Sequence, residues 1–323
     1  MQAQTEVNAP TPKMPQRKDK GFKAFLKKCK DQRALLIMTI PFVIWVFIFK
    51  YLPVWGWTMA FQDYKPARTF SEQEWVGFKH FLFLFESDRF LGVLRNTLAQ
   101  SVINMVLGFV TAIGLAVLIN ELTNMKFKRV VQTISYLPHF LSWVVAAALV
   151  SSVLSIDGII NEILMGLNLV DRELLFLGVG EWFWGILGAA ETWKNVGWNA
   201  IIYLAAISMI DQEQYEAAKI DGASRVQRII HITIPGMKSV IIVLLIMNIG
   251  YILEAGFEAQ YLLGNGQNVE YSENIDVFVI KYGISQFNFA LATAAGMFKT
   301  VISFVFLVAA NSLSKKMGQG GLY

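Results

Sequence analysis

Two long runs without a charged side chain, residues 96–120 and 130–156, constrain this chain more than any other feature. A helix needs roughly 20 residues to cover about 30 Å of hydrocarbon, so each run spans a bilayer unaided. Four more stretches follow the same logic: 34–61 with Lys50 inside, 182–210, 239–257, and 282–314 with Lys299 inside. Over 323 residues, 55% hydrophobic and 16% charged side chains leave too little polar surface for a soluble domain. The expected fold is an all-α integral membrane protein with six transmembrane helices.

Lys and Arg in short loops favour the cytoplasmic side of a membrane. They occur in the basic N-terminal tail, 1–33, and at Lys126, Lys128, Arg129, Lys219, Arg225, Arg228, Lys238, Lys315 and Lys316. The opposite loops carry Asp157, Glu162, Asp171, Glu173, Glu270, Glu273 and Asp276. Both termini are therefore expected in the cytoplasm, on either side of a permease domain at 34–316, with a short C-terminal tail at 317–323. The net charge of +4 is explained by this topology, so no nucleic-acid partner is expected. Cys29 is the single cysteine, which excludes an internal disulfide. The basic tail and the apolar run after it imitate a signal peptide, but no small-residue cleavage site follows, so an uncleaved first span is expected.

Between the spans, 21–33 reads as a basic amphipathic helix and 62–89, with Tyr64, Phe70, Trp75, Phe78 and Phe81, as an ordered cap. Ile159, Ile160, Ile163 and Leu164 have helical spacing, and Gly264-Asn265-Gly266 opens a turn-rich loop. No internal repeat stands out.

The segment 211–237 has a local logic of its own. Asp211 with Gln214 has the spacing of a capping box, so a helix is expected through Glu216, Ala217 and Ala218. Asp221 and Gly222 favour a left-handed stop, Ser224 with Gln227 offers a second capping pair, and Pro235 suits the first turn of the next span. Helix, glycine turn and helix follow. With Ile232, Ile234 and Pro235 at matching distances, the segment resembles the EAA loop of the membrane subunits of bacterial ATP-driven importers, departing from it only by Ile234 in place of Leu. Residues 193–205 and the stretches Phe49 to Pro53 and Phe61 to Tyr64 resemble the maltose-type permease family, in its polysaccharide-oligomer branch.

That resemblance implies a type I ABC importer permease fold with a cytoplasmic coupling helix, in the bacterial inner membrane. It implies that Glu216, Ala217, Ala218, Asp221 and Gly222 dock on a separate ATPase, of which there are two. It implies a second permease subunit, commonly a different chain, so a heterodimer is expected, although the sequence alone does not exclude a homodimer. An external solute-binding protein would deliver an oligosaccharide, of acidic uronate type such as alginate. The chain has no G-x-x-x-x-G-K-[ST] loop to cradle ATP, so it is expected to be non-catalytic and without a cofactor.

Charges inside a bilayer cost about 2.5 to 3.5 kcal/mol on insertion scales and usually face protein or a wet cavity. Glu191 and Lys194 are spaced to pair on one helix face, with Trp193, Trp198, Asn195 and Asn199 beside them. Sugars are held by polar groups on their hydroxyls and by aromatic rings, so Glu191, Trp193, Lys194, Asn195 and Asn199 are the first candidates for a substrate path. Asn248, Tyr251 and Glu254, with Glu258 beyond, are the second. A structural ion pair and an interfacial aromatic belt explain the same residues about as well. Asn96, Gln100 and Asn104 read as helix-to-helix hydrogen bonding. His80, His139 and His231 are scattered, so no metal is expected. An ion-coupled secondary transporter would show paired halves and leave the 211–237 segment unexplained. An intramembrane enzyme would need a Ser/His or His/Glu constellation that the spans lack.

Overall fold

In the computed structural model, residues 29–254 and 256–316 are described. The tail up to residue 28, most of the amphipathic helix expected over 21–33, and the segment 317–323 lie outside them. Contacts divide the chain into two compact units, Met1–Gly56 and Trp57–Tyr323. In the first, helix α1 runs over Arg33–Val46 with no residue buried and passes into a π turn at Phe47–Tyr51. The π turn lies just ahead of Pro53, which has no N–H to donate and whose ring crowds the carbonyl four residues back.

The second unit opens with a short antiparallel pair, β1 at Gln62–Asp63 and β2 at Glu74–Trp75. Between them Thr69 and Glu72 form a reciprocal capping box, and the hydrogen bonds from Thr69 hold the Glu72 carboxyl below its usual range. Phe61, Phe78 and Phe81 pack ring against ring at 5.4 to 5.7 Å. The expected cap over 62–89 is therefore ordered, and it leads through helix α2, Lys79–Glu86, into the 34-residue helix α3, Asp88–Glu121.

The third expected span, 130–156, is not one helix. Helix α4, Met125–Tyr136, tightens into a 3-10 turn at Leu137–Phe140, where Pro138 cannot donate a hydrogen bond. Helix α5, Trp143–Val153, then starts from a Ser142 cap at 105° to the first half. Helix α6, Ile159–Gly166, takes up the apolar spacing seen in the sequence. The fourth span is helix α7, Phe183–Ser208, 26 residues or about 39 Å long.

Helix α8, Gln212–Ile220, and helix α9, Arg225–Gly236, follow. Pro235 does not open the fifth span as expected. It sits near the end of α9, behind a π turn at Ile229–Thr233, and the chain bends by 57° at Met237 into helix α10, Lys238–Gly250. That span also stops short of the expected limit at 257, in a turn at Tyr251, before helix α11, Phe257–Leu263. The loop expected over 264–276 contains helix α12, Val269–Ser272, and leads to helix α13, Ile275–Ile280. A π turn at Lys281–Ser285 separates α13 from helix α14, Phe289–Lys316, which is shorter at its start than the expected 282–314. Among the described residues, the stretch from Arg33 to Phe61, α3 and α14 are each long and apolar enough to cross a membrane, and the two bent pairs qualify if each counts as one span. Helix α7 has the length but is less apolar, because Glu191, Thr192, Lys194, Asn195 and Asn199 lie in it.

Helices α3 and α7 form the most extensive helix pair of the second unit. Ala112 and Ala116 meet Ala200, Ala206 and Tyr203 in one buried cluster, where the alanines let the two backbones approach closely. At the end away from α8, the 4% exposed Glu273 accepts from Arg89 at 2.9 and 3.0 Å and lies 3.1 Å from Lys281. Asn96 donates to the carbonyls of Glu270 and Glu273, so it ties α3 to the α12 segment. Lys299, inside α14, is neutralised by both oxygens of Asp276 at 2.7 and 2.9 Å.

Gly197 is where α7 touches the broken span: a β-carbon there would collide with the Ser135 carbonyl of α4. Gly185, on the same helix, has open space around it. Gly185→Ala is expected to be neutral or to stabilise by about 0.5 to 1 kcal/mol through helix propensity, whereas Gly197→Ala lowers the thermal midpoint in detergent. Equal effects of the two substitutions would contradict this packing.

Candidate functional site

Sequence reasoning spread its path candidates over two spans, and the structure gathers most of them around one cavity of about 320 Å³. Helix α7 contributes Glu191, Asn195 and Asn199, α10 contributes Asn248, and the turn after α10 contributes Tyr251 and Glu254. The 3.6-residue period puts Glu191, Asn195 and Asn199 on one stripe of α7. Helix α3 closes the cavity with Ser101, Asn104 and Thr111. The wall has amides, hydroxyls and two carboxyl groups, but no Lys or Arg.

Trp193 and Lys194 stand outside it. Trp193 borders an apolar cavity of about 500 Å³ with Leu149, Val153 and Ile186. The ion pair expected between Glu191 and Lys194 does not form. Lys194, 6% exposed, donates from Nζ to the His139 carbonyl at 2.8 Å and lies over the Trp143 ring at 5.6 Å. The two side chains remain neighbours on the helix surface, and Lys194 turns away because it meets a stronger claim. The last carbonyls of the first half of a broken helix have no partner along the chain, and in a bilayer each unmet group costs several kcal/mol. An ammonium at a helix C-terminus also suits the helix dipole.

Glu191 is held from two other sides. Asn195 Nδ2 donates to its Oε2 at 2.9 Å, and its Oε1 lies so close to Gly256 that a β-carbon there would sit 2.8 Å away. Gly256 has a φ of +87°, which glycine adopts without the penalty other residues pay. The turn that ends the fifth span thus closes onto Glu191.

Two site residues escaped the sequence reading. Asn104 was grouped with a stripe that bonds helix to helix, yet it accepts from Gln100 Nε2 at 2.7 Å within its own helix and faces the cavity. Ser101 Oγ is buried without a protein partner and borders the same space. The signal was the spacing of Gln100 to Asn104 alongside the polar stripe of α7, readable only once α3 and α7 are known to pack together. Glu258 is exposed on α11 and does not line the cavity.

The segment 211–237 forms the helix, turn and helix its residues dictate. Asp211 caps α8 by accepting from the Glu213 N–H at 3.0 Å, a simple cap in place of the expected box. Ala223 N donates to Ala218 O at 2.8 Å and Gly222 N to Lys219 O at 3.1 Å, the paired bonds of a Schellman stop, with Gly222 at φ +78°. Ser224 and Gln227 make the full reciprocal box. The Tyr215 hydroxyl lies 2.9 Å from Thr233 Oγ1 and ties α8 to α9, a contact with no local signature. Glu216, Ala217, Asp221 and Gly222 are exposed and Ala218 is half-buried. Met209 and Ile220, at 85% and 86% exposure, flank them. Among the described residues no group of three His, Cys, Asp or Glu is placed to hold a metal ion.

A bundle of broken and continuous spans around a polar cavity, with a capped helix pair at one end, is the architecture of a transport permease. Residues 104–319 match the family described as binding-protein-dependent transport system inner membrane component, and the chain belongs to it. It is 43% identical to the polygalacturonan/rhamnogalacturonan transport system permease protein YteP of Bacillus subtilis (strain 168), over 93% of this chain and 94% of that one. Protein LplB of the same organism is 39% identical over the same shares. A crystal structure of a bacterial ABC transporter involved in the import of the acidic polysaccharide alginate contains a chain with a TM-score of 0.85 and 38% identity, covering 92% of this chain and 100% of that one. A second structure, of the alginate ABC transporter in complex with alginate pentasaccharide-bound periplasmic protein, matches with the same TM-score and identity.

Removing the Lys194 hydrogen bond, a bond to a charged group worth about 1.5 to 3 kcal/mol, is expected to lower stability in Lys194→Met. Glu191 and Lys194 make no direct salt bridge but share one network through His139 and Asn195, so a double-mutant cycle of Lys194→Met with Glu191→Gln should show coupling of about 0.5 to 1.5 kcal/mol. Coupling near zero would contradict this network, and coupling above about 3 kcal/mol would restore the ion pair.

Proposed function

We propose that the chain is one of two permease subunits, paired as a heterodimer, that form the path for an acidic, uronate-type oligosaccharide. The observation that carries this reading is the polar cavity shared by Glu191, Asn195, Asn199, Asn104 and Asn248 inside otherwise apolar spans. Polar groups at membrane depth are costly and are retained where they face a pathway. The substrate class draws on the relatives, whose names specify polygalacturonan and rhamnogalacturonan in one case and alginate in another. The wall itself engages sugar hydroxyls. With Lys194 committed to the His139 carbonyl, this chain offers no ammonium in the cavity to a substrate carboxylate.

In this reading the termini and α8 face the cytoplasm, as the loop charges require. Helix α8 docks on one of two ATPase subunits, and an external solute-binding protein delivers the sugar at the other end. Exposed Ala217 allows close approach, Glu216 offers a charge, and Ile220 and Met209 supply apolar area that would otherwise remain in water. The Schellman stop at Gly222 fixes the angle between α8 and α9, so a push on α8 passes through the Tyr215–Thr233 contact toward the bend at Met237.

Two outcomes check the proposal. Glu216→Lys and Gly222→Val should each reduce ATP-dependent uptake by more than about tenfold while membrane insertion and permease pairing persist; the second forces a β-branched residue into a left-handed backbone at about 1 to 2 kcal/mol. Unchanged uptake in both would remove α8 from the drive. In the reconstituted complex, binding protein loaded with uronate oligomers should stimulate ATP hydrolysis, and stimulation by neutral oligosaccharides alone would overturn the substrate class.

A further inference from the structure

We propose that His139 is a positioning residue for the sugar wall, acting through Asn195 on Glu191. His139 does not line the cavity. It lies in the 3-10 turn between α4 and α5, where the third span breaks. Its Nδ1 is 3.1 Å from Asn195 Oδ1, and Asn195 Nδ2 donates to Glu191 Oε2 at 2.9 Å. The directions follow from the amide: with Asn195 Nδ2 donating to Glu191, its Oδ1 is left to accept, and the imidazole carries its hydrogen on Nδ1. The three groups form a chain from the break to the cavity.

The ring is held in place for this task. It stacks on Trp198 at 4.6 Å with 5° between the planes, and the edge of Phe140 packs against both rings. Its backbone is pinned by Lys194 through the His139 carbonyl. Glu191 is confined on its other side by Gly256. An amide can rotate to present either face, and a carboxyl can turn with it. His139 removes that freedom, so the wall keeps its donors and acceptors in one arrangement. The break in the third span thus sets the orientation of the groups that meet the sugar.

This inference rests on the cavity being the sugar path. The test is uptake of a uronate oligosaccharide at sub-saturating concentration by the complete transporter, permease pair, ATPases and binding protein, in proteoliposomes. Asn presents its N–H near the position of imidazole Nδ1, so His139→Asn should stay within about twofold of the original. His139→Phe keeps a ring on Trp198 but loses the donor and should fall about tenfold, the scale of one hydrogen bond. In an Asn195→Ala background, His139→Phe should cost nothing more. Should the Phe variant fail to assemble, His139→Gln decides, since its donor reaches toward the Nε2 position: loss is expected, and activity equal to the Asn variant overturns the proposal. Equal losses in the Asn and Phe variants, or an undiminished loss in the Asn195→Ala background, would also overturn it. Uptake that ignores Glu191→Gln and Asn199→Leu would instead remove the path reading on which the inference stands.

Discussion

Inside a bilayer there is no water to satisfy a backbone group that loses its helical partner, so a span can break only where protein supplies the missing bond. This chain breaks two of its spans, and α7 lies beside both breaks. Lys194 caps the carbonyl left free at the first, and Met237 at the second is buried in one cluster with Tyr203 and Ala206 of α7. The polar cavity forms on the neighbouring face of α7, where Glu191 also meets the glycine turn beyond the fifth span. Glu191, Asn195 and Asn199 share one face of α7, and Lys194 on another face holds that helix against the turn at Leu137–Phe140.

What the sequence revealed was mostly local. The cap at Asp211, the box at Ser224 and the left-handed Gly222 each depend on residues within four positions, and all three recur in the structure. The runs of apolar residues likewise marked where spans lie. The pairing of Lys194 was not legible, because its partner is the carbonyl of a residue 55 positions away and carries no side-chain signature. Nor was the 105° bend, although Pro138 sits beside it: one proline marks a place where a helix can fail without giving the angle. Asn104 was misassigned for a related reason, since a polar stripe reads the same whether it faces a helix or a cavity.

The two functional regions differ in how they are built. The 211–237 segment relies on capping chemistry, and its first helix stays largely exposed. The cavity relies on tertiary contacts and a chain of hydrogen bonds across α7, so its shape depends on how the spans are held. In the proposed function the first is the drive and the second the path.

The claim that the cavity of Asn199 and Asn248 is the sugar path has a direct test, made practical by the single native cysteine, Cys29. In a Cys29→Ser background, a cysteine at position 248 can be labelled with a water-soluble maleimide in the assembled transporter. Labelling should proceed in the absence of sugar and slow when sugar-loaded binding protein and ATP hold substrate in the path. Labelling that never occurs, or that is indifferent to sugar, would contradict the account.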